Sequence, residues 1–184
     1  MKLTLDEEVA FTKAWWENLI KDEARTAAWL KKLYGTELGG YDDYQGFLAK
    51  FKHEATDRTV KILSNIADDE LKHSKVIIDV LAGRGHQLDP NPPQSTYWQT
   101  MDSHIVDLTT ACAANYYGEA LAAFRFEVIA EHKDTPTDIR EMLSIVLPDE
   151  QFHRETLKRL AGADILEQFR EIHENAVIQL KGTK

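Results

Sequence analysis

The chain has 184 residues, ordinary apolar and charged content, and one cysteine, so it fits one globular domain with a real core, residues 1–184. Its net charge of −9 argues against non-specific binding to nucleic acid or to anionic lipid. Cys112 alone forms neither an intrachain disulfide nor a four-cysteine iron centre, and no run of about 18 apolar residues suits a membrane span.

The segments between clusters of Pro and Gly carry helical periodicity, and little reads as strand, so an all-α fold is expected. A first helix is predicted over residues 5–34. Thr4 and Glu7 form a capping-box pattern at its start, and Gly35 sits just past its end. Residues 35–54, with Gly39, Gly40 and Tyr41-Asp42-Asp43-Tyr44, read as a turn and a short helix. A second helix is predicted over 55–82, ending at Gly83-Arg84-Gly85. From Gly85 to about Trp98 the chain includes Asp89-Pro90-Asn91-Pro92-Pro93 and is not continuous helix. At about 3.3 Å per residue, such a stretch can travel the length of a helical bundle. It is therefore read as a long crossover between the second and third helices of a four-helix bundle. The third helix is predicted over 102–132. The fourth begins at Thr135-Pro136, where Pro136 suits the first helical position. Pro148 falls inside it, and a kink or bulge is expected there. A last amphipathic helix covers about 164–181, with Ile165, Phe169, Ile172, Ala176, Val177 and Leu180 as its apolar stripe. The core bundle is thus about 5–160, with an extra C-terminal helix.

One five-residue pattern occurs twice: Asp69-Glu70-Leu71-Lys72-His73 and Asp149-Glu150-Gln151-Phe152-His153. Residues i and i+3 share a helix face, so each copy projects a carboxylate and an imidazole together. Chance alone would give roughly 0.05 copies of Asp-Glu-x-x-His in a chain of this composition. Glu-x-x-His on each of two helices, with one Glu from each of two others, is the ligand set of a two-metal carboxylate site in a four-helix bundle.

Periodicity selects the other two glutamates. The apolar seam of the first helix runs Trp16, Ile20, position 23, Ala27, Leu30, Tyr34, and position 23 is Glu23. That of the third runs Leu108, Cys112, Asn115, position 119, Ala122, Phe126, Ile129, and position 119 is Glu119. The second seam is interrupted by Glu70 and His73, the fourth by Glu150 and His153. Taking an ion into a protein interior costs several kcal/mol even after relaxation. Facing carboxylates repel as well, and no lysine or arginine stands on the seams to offset them. Two divalent cations would. Four carboxylates and two imidazoles suit iron or manganese, and zinc also fits such donors. Metal-bound histidines usually donate their second N–H to an acceptor. Asp69 and Asp149 are read as those acceptors, Asp69 for His153 and Asp149 for His73. The bland reading of an i,i+3 Glu–His pair is a solvated surface pair; the adjacent pair His53-Glu54, off the seams, serves as a control and is read as solvated. Tyr116-Tyr117 and the four tryptophans read as core and interface residues, and Cys112 as a small buried apolar one.

On Glu23 in Lys21-Asp22-Glu23-Ala24-Arg25, the two Asp-Glu-x-x-His motifs and Glu119, the chain resembles the ferritin-like superfamily of ferritins, bacterioferritins and rubrerythrins. The resemblance covers about residues 5–160. It implies a ferritin-like four-helix bundle in which Glu23 and Glu119 are terminal ligands, Glu70 and Glu150 bridge, and His73 and His153 each bind one metal. Rubrerythrins carry a second glutamate one turn after the third-helix ligand, where this chain has Ala122, and a cysteine-bound iron domain, which this chain lacks. The spacing from Glu23 to Glu70 is longer than in ferritins and bacterioferritins, and a loop over 35–54 would stand in the way of a storage cage. The expected protein resembles the rubrerythrin bundle alone: two Fe ions (Mn or Zn as alternatives), an oxidoreductase reacting with O₂ or peroxide, and an external electron donor. The other readings are an iron-storage ferroxidase, a diiron hydroxylase and a metal-free structural bundle. The N-terminus turns acidic at once and lacks an apolar signal core, so a cytoplasmic location is expected. A homodimer through the last helix or the aromatic residues of the first is expected too.

Overall fold

The computed structural model describes residues 4–88 and 96–182. Among them are seven α-helices: α1 (Leu5–Leu19), α2 (Glu23–Phe51), α3 (Asp57–Gly83), α4 (Thr96–Asp102), α5 (Leu108–Glu131), α6 (Thr137–Ala161) and α7 (Ala163–Gly182). The four-helix core is α2, α3, α5 and α6. Within it α2 packs on α3, α5 on α6, and α3 on α6, while α7 covers α4, α5 and α6 and α1 lies against α5 and α2. The chain thus forms an all-α, ferritin-like bundle. No described helix is long and apolar enough to cross a membrane.

The expected helix over 5–34 is two helices. Its start is capped as read: Glu7 N–H donates to Thr4 Oγ1 at 3.3 Å, and Thr4 N–H donates to Glu7 Oε2 at 2.7 Å. The break comes at Asp22. Its carboxylate accepts from the N–H groups of Ala24 and Arg25 at 2.9 and 3.2 Å, which makes it an N-cap. The Thr26 hydroxyl donates back to Leu19 O and to Asp22 O, tying the corner. The second helix then continues through Gly35, Gly39, Gly40 and Gly46 to Phe51, where a turn and short helix were expected. Glycine disfavours helix by about 1 kcal/mol per residue, but burial of Glu37, Tyr44, Leu48 and Phe51 along one face outweighs it.

α3 and α7 lie where the periodicity puts them. The Asp89–Pro93 stretch of the expected crossover falls outside the described residues. The third core helix starts later than expected, because Asp107 and Thr110 form a reciprocal cap at its N-terminus. α4, a short helix ahead of it, had no counterpart in the reading. Pro136 is the N-cap of α6 rather than its first helical residue. α6 is helical through Pro148 with no bulge. The buried residues on both sides, Leu143 and Val146 before it and Glu150 and His153 after it, hold the helix together across one missing N–H.

Two apolar clusters fill the bundle. One holds Tyr44, Leu48, Leu63, Ile66 and Leu157; the other holds Trp16, Leu30, Ile77, Phe126 and Leu143. Along every core helix one buried glutamate falls between the two. Glu37 lies between Leu30 and Tyr44, Glu70 and His73 between Ile66 and Ile77, Glu119 between Ala113 and Phe126, and Glu150 and His153 between Val146 and Leu157. The fold therefore presents a charged layer at its centre, sealed by apolar side chains above and below.

Candidate metal centre

Each core helix supplies one carboxylate to that layer. Glu37 comes from α2, Glu70 from α3, Glu119 from α5 and Glu150 from α6, and all four are buried. His73 and His153 follow their glutamates by one turn and are fully buried. Donor atoms of Glu37, Glu70, His73 and Glu150 lie within 4.8 Å of one another, and so do those of Glu70, Glu119, Glu150 and His153. Glu70 and Glu150 belong to both groups, which is the placement a bridging carboxylate needs.

The two motifs interlock. His73 Nδ1 lies 3.2 Å from Glu150 Oε1, and His153 Nδ1 lies 3.2 Å from Glu70 Oε1, so each imidazole meets the glutamate of the other motif. His73 Nδ1 is also 3.2 Å from Glu37 Oε2, and His153 Nδ1 is 4.0 Å from Glu119 Oε1. The outer ring nitrogens are held crosswise as well. His73 Nε2 lies 3.2 Å from Asp149 Oδ2 and His153 Nε2 lies 3.3 Å from Asp69 Oδ2, the pairing expected for these aspartates. An ionised aspartate accepts a hydrogen bond and donates none, so Nε2 carries a hydrogen, and in the neutral ring the Nδ1 lone pair points into the layer.

Glu23 is not in this layer. It opens α2 with its side chain 56% exposed, paired with Arg84 at 2.8 Å and His86 at 3.0 Å. Arg84 also grips Asp138, so Glu23 helps to tie the ends of α2, α3 and α6 together. The apolar phase extrapolated from Trp16 and Ile20 does not survive the corner at Asp22. Glu37 takes the place assigned to Glu23. It continues the α2 phase two turns beyond Leu30, and its distance in sequence from Glu70 resembles that of Glu119 from Glu150. That repeat spacing was the available signal. Tyr44 is a further member: its hydroxyl donates to Glu119 Oε1 at 3.3 Å. Lys72 is another, with Nζ 2.5 Å from Asp149 Oδ2 and 3.7 Å from Asp69 Oδ1.

The electrostatics are those of an acid-rich cavity. Burial, then the charges of Glu119 and Glu37, raises the Glu70 pKa well above the ordinary glutamate value. Burial, then Glu150, does the same to Glu119. Burial raises Glu150 too, although a hydrogen bond with Glu119 opposes it. Burial disfavours protonated His73, but Glu37 and Asp149 outweigh it and the pKa rises. At His153 burial prevails over Asp69, with His73 adding to it, and the pKa falls.

Among the described residues, three buried side-chain atoms have no hydrogen-bond partner: Glu70 Oε1, Glu150 Oε1 and His153 Nδ1. All three face the centre of the layer. Acceptors left unpaired in a protein interior are costly and rare. A lone pair of Nδ1 set 3.2 Å from a carboxylate oxygen needs a proton or a cation between them. The donors fit a pair of divalent cations: four carboxylates balance two double charges, and the two imidazoles complete a mixed O and N set.

A family model described as Rubrerythrin matches residues 29–161, which include Glu37 and both Glu-x-x-His motifs and exclude Glu23. Comparisons with curated proteins and with solved structures returned no match.

Proposed function

The chain belongs to the rubrerythrin family, a ferritin-like diiron family, and from that premise we propose that it is a dinuclear iron oxidoreductase acting on O₂ or peroxide. Glu37, Glu70, His73 and Glu150 would hold one iron, and Glu70, Glu119, Glu150 and His153 the other. The observation that carries this reading is the interlocking of the two motifs around three unpartnered buried acceptors. A surface arrangement of the same residues would leave none of them dry.

When bound, a ferrous pair supplies two electrons to the oxidant. The residues of the chain do the rest. Asp69 and Asp149 fix the histidine tautomers, so that both lone pairs face inward. Tyr44 holds the Glu119 carboxylate from one side. The two apolar clusters keep bulk water from the layer, which strengthens every charge interaction within it. The only cysteine, Cys112, cannot make a four-thiolate iron site, so electrons for another turnover would come from an external donor.

The test is metal content after anaerobic loading with ferrous iron, for the parent chain and for the double variant E70A/E150A. About two ions per chain, lost in the variant, followed by oxidation of the ferrous protein by peroxide or O₂ at that stoichiometry, is the expected result. No metal above background in the parent chain would sink the reading. Continued iron oxidation far beyond two per chain would replace it with storage.

A further inference from the structure

The two halves of the centre correspond residue by residue. Glu37 answers to Glu119, Glu70 to Glu150, His73 to His153 and Asp69 to Asp149. Among the neighbours that touch these groups, two departures change a charged or hydrogen-bonding side chain. Lys72 stands where the second motif has Phe152, and Tyr44, two turns after Glu37, stands where α5 has Phe126, two turns after Glu119.

Both departures act on one half more than the other. Lys72 Nζ contacts Asp149 Oδ2, the same oxygen that faces His73 Nε2. Its longer contact with Asp69 uses Oδ1, and leaves Oδ2 to His153. An oxygen already engaged by an ammonium group attracts the imidazole N–H less, and the strength of that attraction sets how good a donor the opposite nitrogen is. Phe152, 58% exposed, brings no charge to the equivalent position. The Tyr44 hydroxyl fixes the carboxylate of Glu119 before any ion arrives, whereas Phe126 offers Glu37 no hydroxyl. A hydrogen bond also draws charge from Glu119, but at 3.3 Å this one is longer than the usual O–H···O range, and orientation is its larger effect.

We propose that the two cation positions are unequal: the one at Glu119 and His153 binds first and more tightly than the one at Glu37 and His73, and Lys72 and Tyr44 set the difference. This rests on the reading that the layer holds two cations. Neither residue is a ligand; both act through the groups that are.

The probe is cobalt(II), titrated into the full-length chain and followed by calorimetry and visible absorption. The parent chain should show two steps of one ion each, about tenfold or more apart, in keeping with the usual weight of partners behind the ligands. E119Q should abolish the tight step and E37Q the weak one. K72M should tighten the weak step about three- to tenfold and leave the tight step in place, while K72R, which keeps the ion pair, should behave as the parent. Y44F should loosen the tight step alone. A general structural disturbance would move both steps together. Two ions binding as an equal pair, or K72M shifting both steps alike or neither, would overturn this inference and leave the dinuclear reading intact. No binding by the parent chain would overturn both. Lys72 is half-exposed, so its variants are expected to fold as the parent, with circular dichroism as the check.

Discussion

Single substitutions at Glu37 and Glu23 test the proposed ligand against the observed clamp. E37A should cost one of the two ions per chain, because the group of donors around His73 loses its terminal carboxylate. E23A should keep both ions and lower stability by at most about 1 kcal/mol, since exposed ion pairs contribute little. Metal analysis and thermal unfolding of the two variants check this side by side, and an E23A protein that loses metal would contradict it. D149N should weaken metal binding about ten- to hundredfold, because the amide oxygen accepts the His73 N–H more weakly than a carboxylate does. What was legible at this scale follows from locality. Glu70 with His73, and Glu150 with His153, are each fixed by one helical turn, so any helix through them gives the right face. The crosswise aspartates followed from the same spacing and the chemistry of bound imidazole. Glu37 was marked only by the repeat spacing between two pairs of helices, and Tyr44 and Lys72 depend on how one helix is phased against another. No window on a single helix contains that information.

Helix boundaries were where the reading failed, and within α2 glycine was the reason. Gly35, Gly39 and Gly40 were taken as punctuation, but α2 runs through them because its buried face requires it. Four helical glycines predict different outcomes. A β-carbon on Gly39 or Gly46 would meet nothing within 4 Å. G39A and G46A should therefore each stabilise the protein by about 0.5–1 kcal/mol, through lower entropy of the unfolded chain. At Gly40 a β-carbon would stand 3.2 Å from Glu70 Oε2 and 3.3 Å from its Cγ, so the missing side chain is what seats the Glu70 carboxylate against α2. G40A should gain less stability than its neighbours and should weaken metal binding. Thermal unfolding with metal titration across the three variants reads both effects; equal behaviour at positions 39 and 40 would show that Glu70 has room to spare. At Gly118 the clash is with a rigid ring: Trp98 Cη2 would lie 2.5 Å from the added carbon. G118A should destabilise by about 1–3 kcal/mol as the indole is driven off α5. The corner at Asp22 teaches the same lesson in reverse. Its cap is local and could have been read, but the apolar phase appeared to run straight across it.

The whole molecule carries −9 charges, and the acidic layer at its centre makes stability depend on pH in a direction unusual for carboxylates. Asp107, Asp138 and Asp149 work the ordinary way, with pKa values held low by hydrogen-bond partners. Asp138 is held low by its bond with Arg84, and its contribution is lost as pH falls through its lowered value. Glu70, Glu119 and Glu150 do the opposite, because burial and mutual repulsion raise them above the ordinary value of 4.5. Above about pH 4.5 the unfolded chain has released protons that the metal-free folded chain still holds. The folded state then binds more protons, and its stability falls as pH rises towards the raised values. Divalent cations remove this cost by taking the protons' place, so binding should release protons and tighten with pH. The expected outcome is a gap in melting temperature between loaded and metal-free protein that widens from about pH 5 to about pH 7. In metal-free E70Q/E150Q the loss of stability over the same range should shrink, because two of the three raised glutamates of the layer are gone, while Asp43, raised to about 6 by burial, still contributes. Melting curves at several pH values, with proton release measured by calorimetry in buffers of different ionisation enthalpy, check both signs. A gap that narrows with rising pH would mean the carboxylates are already ionised in the metal-free fold. The charged layer would then be stabilised by something other than protons, and the interlocked histidines would be the first groups to test.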